Sequence, residues 1–392
     1  MSASTTARAG VSVQVSEGFS ELSQLRPAWQ RLFGSRGHEP STSFEWTQAM
    51  VRHHLRASDR GFLIRLEREG ELIGVLPLVR RQVRLLGRRL SLLMPITEEY
   101  NTHSDILLAA ADADAVDAIV QGLIGIGASW DCFRMARLLD ENPLLPLFRR
   151  ALDAGRHPHS VRTGLAAYVL DLPASYPSYL AARSAKFRNH LKRAERKLAS
   201  AGAVEIHRLS TAGAFERAFE ALLEVERASW KQAHGSSITA VEHQPAFYRE
   251  LACGALEAGR LHLQWLTLDG RPIAYNLGYL TTLGYHYLKT SYDHQSRQLG
   301  AATVLRAKLI ESLIAEGTPR LDFPGEPYEW ESQWTSAARR RVVLSLFRPT
   351  VQGRVLWLID RVRSRMSRRV EIAHVDPRAS RRPARESTEA AA

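Results

Sequence analysis

Twice along this chain apolar and polar residues alternate, turn at a glycine and alternate again. Residues 62–79 read FLIRLEREGELIGVLPLV and residues 262–279 read HLQWLTLDGRPIAYNLGY. They align without a gap at a spacing of 200, with Gly70 and Gly270 at the turns and Ile73 and Ile273 in the returning strands. Period-two alternation about a glycine turn predicts a β-hairpin in each stretch. Upstream of each, LRPAWQRLF and FERAFEALLEVERASW place apolar residues at helical spacing around an aromatic anchor. Two related α/β units in tandem is the simplest reading.

The second half goes on as a Tyr-rich strand (LGYHYLKTSYD), a loop and helix start (HQSRQLGAA), a helix (TVLRAKLIESLIAEG) with Gly317 at its C-terminus, and a short buried strand (PRLDF). A loop with a helical turn (PGEPYEWESQW) and a final strand (RVVLSLFR) follow. Strand, helix and strand in that order form a crossover, so the two strands belong near each other in one sheet. The expected division is a disordered N-terminus (1–10), a first unit (11–165), a second unit (166–348), and a basic helix with a disordered tail (349–392). In that last segment Val351, Val355, Leu358, Val362, Met366 and Val370 share one helical side, with arginines around the rest. Docking onto its own domain and peripheral association with an anionic membrane surface are both open to such a helix.

Composition narrows the class. With 392 residues, 45% of them hydrophobic, the chain can fill two ordinary cores. Cys132 and Cys253 are too few and too far apart for a disulfide framework or a CxxC metal site, so no metal is expected. The first residues lack an apolar signal region and no apolar run approaches ~20 residues, so the expected location is cytoplasmic. The net charge of +12 is concentrated: KFRNHLKRAERK has six cations and one carboxylate, and residues 361–392 have nine arginines against four carboxylates. Neither segment interleaves aromatic residues for base stacking, and nucleic acid is not favoured as a partner.

The helix start at Gly300 carries the sharpest chemistry. The first N–H groups of a helix lack intrahelical acceptors and mark the positive end of its dipole, so small residues there let a pyrophosphate approach. Gly300, Ala301 and Ala302 are such residues, after Leu299, Gln298 and a cationic Arg297. The alternative is a glycine that only begins a helix. Arg-x-x-Gly-x-Ala resembles the Q/R-x-x-G-x-G/A signature of the GNAT superfamily, in which this loop grips the pyrophosphate of coenzyme A. SAKFRNHLKRAERKL, LDGRPIAYNLGY, YHYLKTSYD and LDFPGEPY occur in an order similar to the CelD/BcsL group of GNAT acetyltransferases of polysaccharide biosynthesis. That group in turn resembles the Fem-type transferases, which have two GNAT-like units in one chain.

The resemblance covers roughly residues 25–348 and is strongest from 180 to 335. It implies a tandem GNAT-like α/β fold with two mixed sheets, and acyl transfer from acetyl-CoA or another acyl-CoA to an amine or hydroxyl of a sugar or polysaccharide precursor. Aminoacyl transfer from charged tRNA, and a non-catalytic role beside a polysaccharide synthase, are the alternatives. One departure stands out: Glu329 occupies a position where the family pattern has Lys.

Such transfer needs a base, a polarised carbonyl and a proton for the leaving thiolate. Asp322, ending a buried strand beside the expected coenzyme groove, is the leading base, its pKa raised by desolvation; the alternative is a turn cap. Tyr328 is a candidate donor to the thiolate, with packing as its alternative, and Asp293 is a weaker candidate that also suits an Asx-turn. His286, mid-strand, reads as a core histidine. Lys186, Arg188 and Arg193 offer a floor for an anionic acceptor or simply a solvated face. Only the second half has the phosphate loop, so the first unit, with Trp46 and residues 101–105, is expected to shape the acceptor groove. An Asp at 300 is expected to abolish acyl-CoA binding with little change in stability.

Overall fold

Both hairpins form, and they correspond bond for bond. In this computed structural model, which describes residues 4–8, 10–35, 37–85, 87–97, 103–127, 130–325 and 328–374, Arg60–Arg68 pairs with Glu71–Leu85 and Leu261–Leu268 with Arg271–Thr281. At the turns Glu69 and Gly70 have φ of 53° and 83°, and Asp269 and Gly270 have 50° and 79°. Two consecutive left-handed residues make a type I′ turn, which matches the right-handed twist of the flanking strands and explains the glycines. A bulge follows in each hairpin at the same place, Leu66/Glu67 and Leu266/Thr267.

Each hairpin sits in its own mixed sheet. The first runs Ser4–Arg8, Val11–Glu17, Arg60–Arg68, Glu71–Leu85, Arg88–Pro95, Cys132–Leu139, Arg341–Phe347 and His159–Thr163. The second runs Val204–Arg208, Leu261–Leu268, Arg271–Thr281, Gly284–Tyr292, Arg320–Asp322, Ala167–Asp171 and Ala338–Arg339. In both, a parallel pair forms the centre, and a helix joins its two strands: Ala113–Gly125 in the first unit and Ala301–Ala315 in the second.

One expected boundary changes. The strand Arg341–Phe347, read as the end of the second unit, lies in the first sheet between Cys132–Leu139 and His159–Thr163. In return Ala167–Asp171, four residues after a first-sheet strand, pairs with Arg320–Asp322 in the second sheet. The reason is burial: Val342, Leu344 and Leu346 complete the first core with Phe133, Met135 and Phe148, whereas Leu170 joins the second with Tyr285 and Leu321. The N-terminus also differs from expectation, because Ser4–Arg8 forms a strand on Val11–Glu17. The C-terminal helix Val351–His374 forms, and the expected disordered tail from 375 onward lies outside the described residues.

The units share a core. Helix Phe44–His53 packs on helix Gln244–Glu257, its counterpart at the same 200-residue spacing, and Trp46, Met50, Val79 and Met94 merge with Phe219, Leu222, Phe247 and Leu277 in one cluster. Helix Ala301–Ala315 is buried on several sides, because helix Ala185–Ala199 covers the side turned away from the sheet with Leu191, Ala194 and Leu198.

The strand exchange yields a prediction. Ending the chain after Arg340 removes Val342, Leu344, Leu346 and Phe347, all buried. At about 2–5 kcal/mol for each large side chain lost from a core, the deficit of about 8–20 kcal/mol is as large as the ~5–15 kcal/mol margin of a typical protein. That chain should show no cooperative melt by circular dichroism, whereas a chain ending after Thr350 should keep one. A cooperative melt in the shorter chain would mean that the first unit closes without the strand.

Candidate active site

The site grows from the place where two parallel strands part. Gly284–Tyr292 and Arg320–Asp322 pair only at Tyr285 with Leu321 and His286 with Asp322. A bulge on the other edge, at Leu277/Gly278, leaves Leu288 with no residue opposite it in the register. His286 and Asp322 are thereby set side by side, and the first unit brings Glu39 and His103 against them.

The cluster is dry. His286 Nδ1 lies 3.3 Å from Asp322 Oδ2 and 3.7 Å from Glu39 Oε2; His103 Nε2 lies 3.7 Å from Asp322 Oδ1. Arg339 Nη1 stands 3.8 Å from Glu39 and 3.9 Å from Asp322, its Nε bonded to Glu141 at 2.7 Å. Beside these groups is a small cleft lined by Glu39, Ser41, Trp46, His103, His286, Tyr287 and Leu288. Both Asp322 oxygens, both His103 ring nitrogens, His286 Nδ1, Arg339 Nη1 and Trp46 Nε1 are buried and complete no hydrogen bond among the described residues. Native interiors seldom leave so many polar atoms unmatched in one spot, and such a concentration marks a place built for a polar ligand or water.

The electrostatics assign protonation states. Burial alone would push the Asp322 carboxyl up, but His103, His286 and Arg339 outweigh it and hold it at about 2. Glu39 goes the other way: burial first, then repulsion from Asp322 and Asp105, raise it well above the usual range against the pull of Arg339 and Arg320. Burial lowers His286 to about 4 despite Asp322, and lowers His103 likewise. Near neutral pH Asp322 is ionised and both imidazoles are neutral, while Glu39 is the carboxyl biased toward its protonated form. Asp322, expected to titrate high as a base, is instead too acidic for that task, because two imidazoles and a guanidinium face it.

Other candidates part company with the cluster. Asp293 is buried, but its carboxylate accepts from Arg271 Nη2 (2.9 Å), the Gln295 N–H (3.0 Å) and Ser296 Oγ (3.3 Å), and so caps the turn His294–Leu299. Tyr328 is 55% exposed, and Glu329 beside it is exposed as well. Arg188 donates to the carbonyls of Leu180, Ala181 and Arg183, closing the preceding helix, while Lys186 and Arg193 point to solvent. Trp46 and His103 do reach the cavity; Asn101 and Thr102 lie outside the described residues. Glu39 and Arg339 carried no local signal, since a carboxylate in HEPSTSF and one arginine among ARRR look like any surface pair. A second buried ion pair, Glu226 with Lys231, is fully partnered: Tyr275 and the Ile238 N–H donate to the carboxylate, and Lys231 donates to the Thr290 carbonyl.

The helix head at Gly300 lies beyond the end of the same Tyr-rich strand. Gly300 has φ 73°, and the N–H groups of Thr303 and Val304 both reach its carbonyl. Those of Ala301 and Ala302 have no intrahelical acceptor. Helix Ala185–Ala199 crosses here so closely that a Cβ on Gly300 would stand 2.8 Å from Ala194 Cβ. Both the left-handed backbone and that contact require glycine, so the expectation that Asp would be tolerated at 300 is corrected: it would strain the fold. Arg193 and Lys197, on either side of Ala194 in the sequence of that helix, are exposed, as is Arg297 in the turn before Gly300. In the first unit the corresponding helix is capped by Asp112, which accepts from the Asp114 N–H and pairs with Arg68. That head is closed to anions. Among the described residues no group of three or more His, Cys, Asp or Glu is placed to hold a metal ion.

Residues 185–332 match the family model described as an acetyltransferase (GNAT) domain. The GNAT-like fold extends beyond them. The crystal structure of FemX aligns with a TM-score of 0.55 at 10% identity, over 88% of this chain and 99% of that one. The C-terminal domain of a putative lysylphosphatidylglycerol synthetase from Agrobacterium fabrum aligns at 0.53 and 11%, over 86% and 95%. A conserved protein of unknown function from Bacteroides thetaiotaomicron aligns at 0.51 and 11%, over 84% and 98%. At these identities the likeness is one of fold, and with the repeated hairpin it makes this chain a tandem of GNAT-like units. No curated protein matches the chain.

Buried neutral histidines set the acid response. His286 and His262 are held at about 4 and His54 at about 3, against 6.5 when exposed, with burial the main cause in each. Between pH 6.5 and 4 the unfolded chain therefore binds protons at these histidines that the folded chain refuses, and their contribution to stability falls as pH falls, outnumbering the opposite contribution of Glu39 and Glu331. Asp322, at about 2 against 3.8, adds its loss only below about pH 4. Urea midpoints should drop from pH 7 to 5, and His286→Gln should remove about one proton from the uptake on unfolding in that window. Unchanged uptake would mean that His286 is already charged in the folded protein.

Proposed function

We propose that the protein is an acyltransferase that moves an acyl group from acyl-CoA to an amine or hydroxyl acceptor seated between the two units. The observation that carries this reading is the cavity of unmatched polar groups where the central strands of the GNAT-like second unit part. The head of the helix Ala301–Ala315, with its free N–H groups and the cations Arg297, Arg193 and Lys197, suits a pyrophosphate. Acyl-CoA bound there supplies an activated thioester. The rest falls to the chain's own residues. Asp322, ionised, stands 3.7 Å from His103 Nε2, near enough to orient the ring once the site takes up its ligands, and the neutral His103 imidazole takes the acceptor's proton. The imidazolium so formed is stabilised by the same carboxylate and can return its proton to the leaving sulfur. The backbone N–H of Leu288, which has no residue opposite it at the bulge and lines the cleft, is the candidate for polarising the thioester carbonyl.

The saccharide acceptor rests on the CelD/BcsL resemblance and on the hydrogen-bonding lining of Glu39, Ser41 and His103. A cytoplasmic location, where acyl-CoA is available, belongs to the same reading. Aminoacyl transfer from charged tRNA is the rival, favoured by one observation: Lys186, Lys192, Arg193, Arg196 and Lys197 form an exposed cationic face on a single helix.

Thiol release from acetyl-CoA, measured beside turnover of aminoacyl-tRNA, separates the two. Arg297→Glu should weaken acetyl-CoA binding at least ~10-fold, as loss of a charge-assisted hydrogen bond does, with the melting temperature unchanged because Arg297 is exposed. His103→Asn should lower kcat about 100- to 10,000-fold while the KM for acetyl-CoA holds. Turnover of aminoacyl-tRNA alone would overturn the acyl-CoA reading.

A further inference from the structure

The helix Val351–His374 has two contrasting sides. Trp357 Nε1 donates to the His159 carbonyl at 3.0 Å, and Asp360 pairs with Arg162 at 2.7 Å and accepts from Ser160. Leu356 and Ile359 roof a cavity of ≈ 200 Å³ over Leu90, Leu92 and Phe347 of the first sheet. This side anchors the helix. Away from it Val351, Val355, Leu358 and Val362 are 83%, 48%, 55% and 55% exposed. At about 100° per residue they fall within an arc of about 60°, opposite Leu356 and Asp360. Eight large hydrophobic residues are exposed among those described, and half of them lie in this one stripe. Exposed Arg354 and Arg361 border it.

We propose that this face lies flat on an anionic lipid bilayer. A contiguous aliphatic stripe kept out of every core marks an interaction surface. Its arginine border, and the nine arginines against four carboxylates from residue 361 onward, favour an anionic partner. A second copy of the chain would bring those arginines against one another. Nucleic acid would meet aliphatic side chains, since Trp357 is turned toward the first unit. No described helix is long and apolar enough to cross a membrane, and a stripe this narrow suits immersion at the headgroup boundary.

The test is flotation of the full chain with vesicles of phosphatidylcholine alone and of phosphatidylcholine with about 30% phosphatidylglycerol. Binding should favour the anionic vesicles by at least ~10-fold and weaken with salt. The double variant Val355→Asp, Leu358→Asp should lose at least ~10-fold of it with an unchanged melting temperature, both positions being exposed. Arg354→Glu should reduce binding to the anionic vesicles only. Three results would each overturn the proposal: no preference for anionic vesicles, equal binding by the double variant, or a dimer in light scattering that the same double substitution dissolves.

Discussion

A carboxylate 1% exposed cannot stay ionised in a protein interior without partners, and those of Asp322 come from both halves of the chain. His286 stands beside it on the neighbouring strand, Arg339 arrives from near the chain's end, and His103 is supplied by the other unit. Glu39, also from the first unit, is biased toward its neutral form by burial first and by repulsion from Asp322 second. The docked arrangement of the two units is therefore a condition for the site's charge state as well as for its shape.

The strand exchange keeps that docking in place. Arg341–Phe347 leaves the second unit to complete the first sheet, directly after Ala338–Arg339 has paired in the second. Arg339 is thus fixed between one sheet and the other, and Ala167–Asp171 makes the opposite crossing. The merged cluster around Trp46 and Phe247 closes what lies between. Neither half can leave without opening a sheet.

Repetition of the fold did not repeat the chemistry. The hairpins match down to the bulge, yet the helix after the central strand opens on Gly300 in one unit and on Asp112 in the other. A small residue leaves backbone donors facing outward, whereas a carboxylate uses them and adds a negative charge. The residue type at the helix start thus decides whether its first backbone donors are taken by a side-chain cap.

What the sequence determined by itself was local. Alternation about Gly70 and Gly270 specified the hairpins, because strand period and turn geometry depend on adjacent residues. The small residues after Arg297 marked a helix head for the same reason. Asp322 was legible as a strand-ending carboxylate, but its acidity was misjudged, since burial was visible in the pattern and the facing imidazoles were not. Glu39, His103 and Arg339 meet it from positions 39, 103 and 339, and His286 passed for a core histidine. Only the tertiary structure decided their meeting, as it decided which sheet received Arg341–Phe347. An alternating strand satisfies either core equally well, and the choice rests on which hydrophobic faces are left uncovered once the rest of the chain has packed.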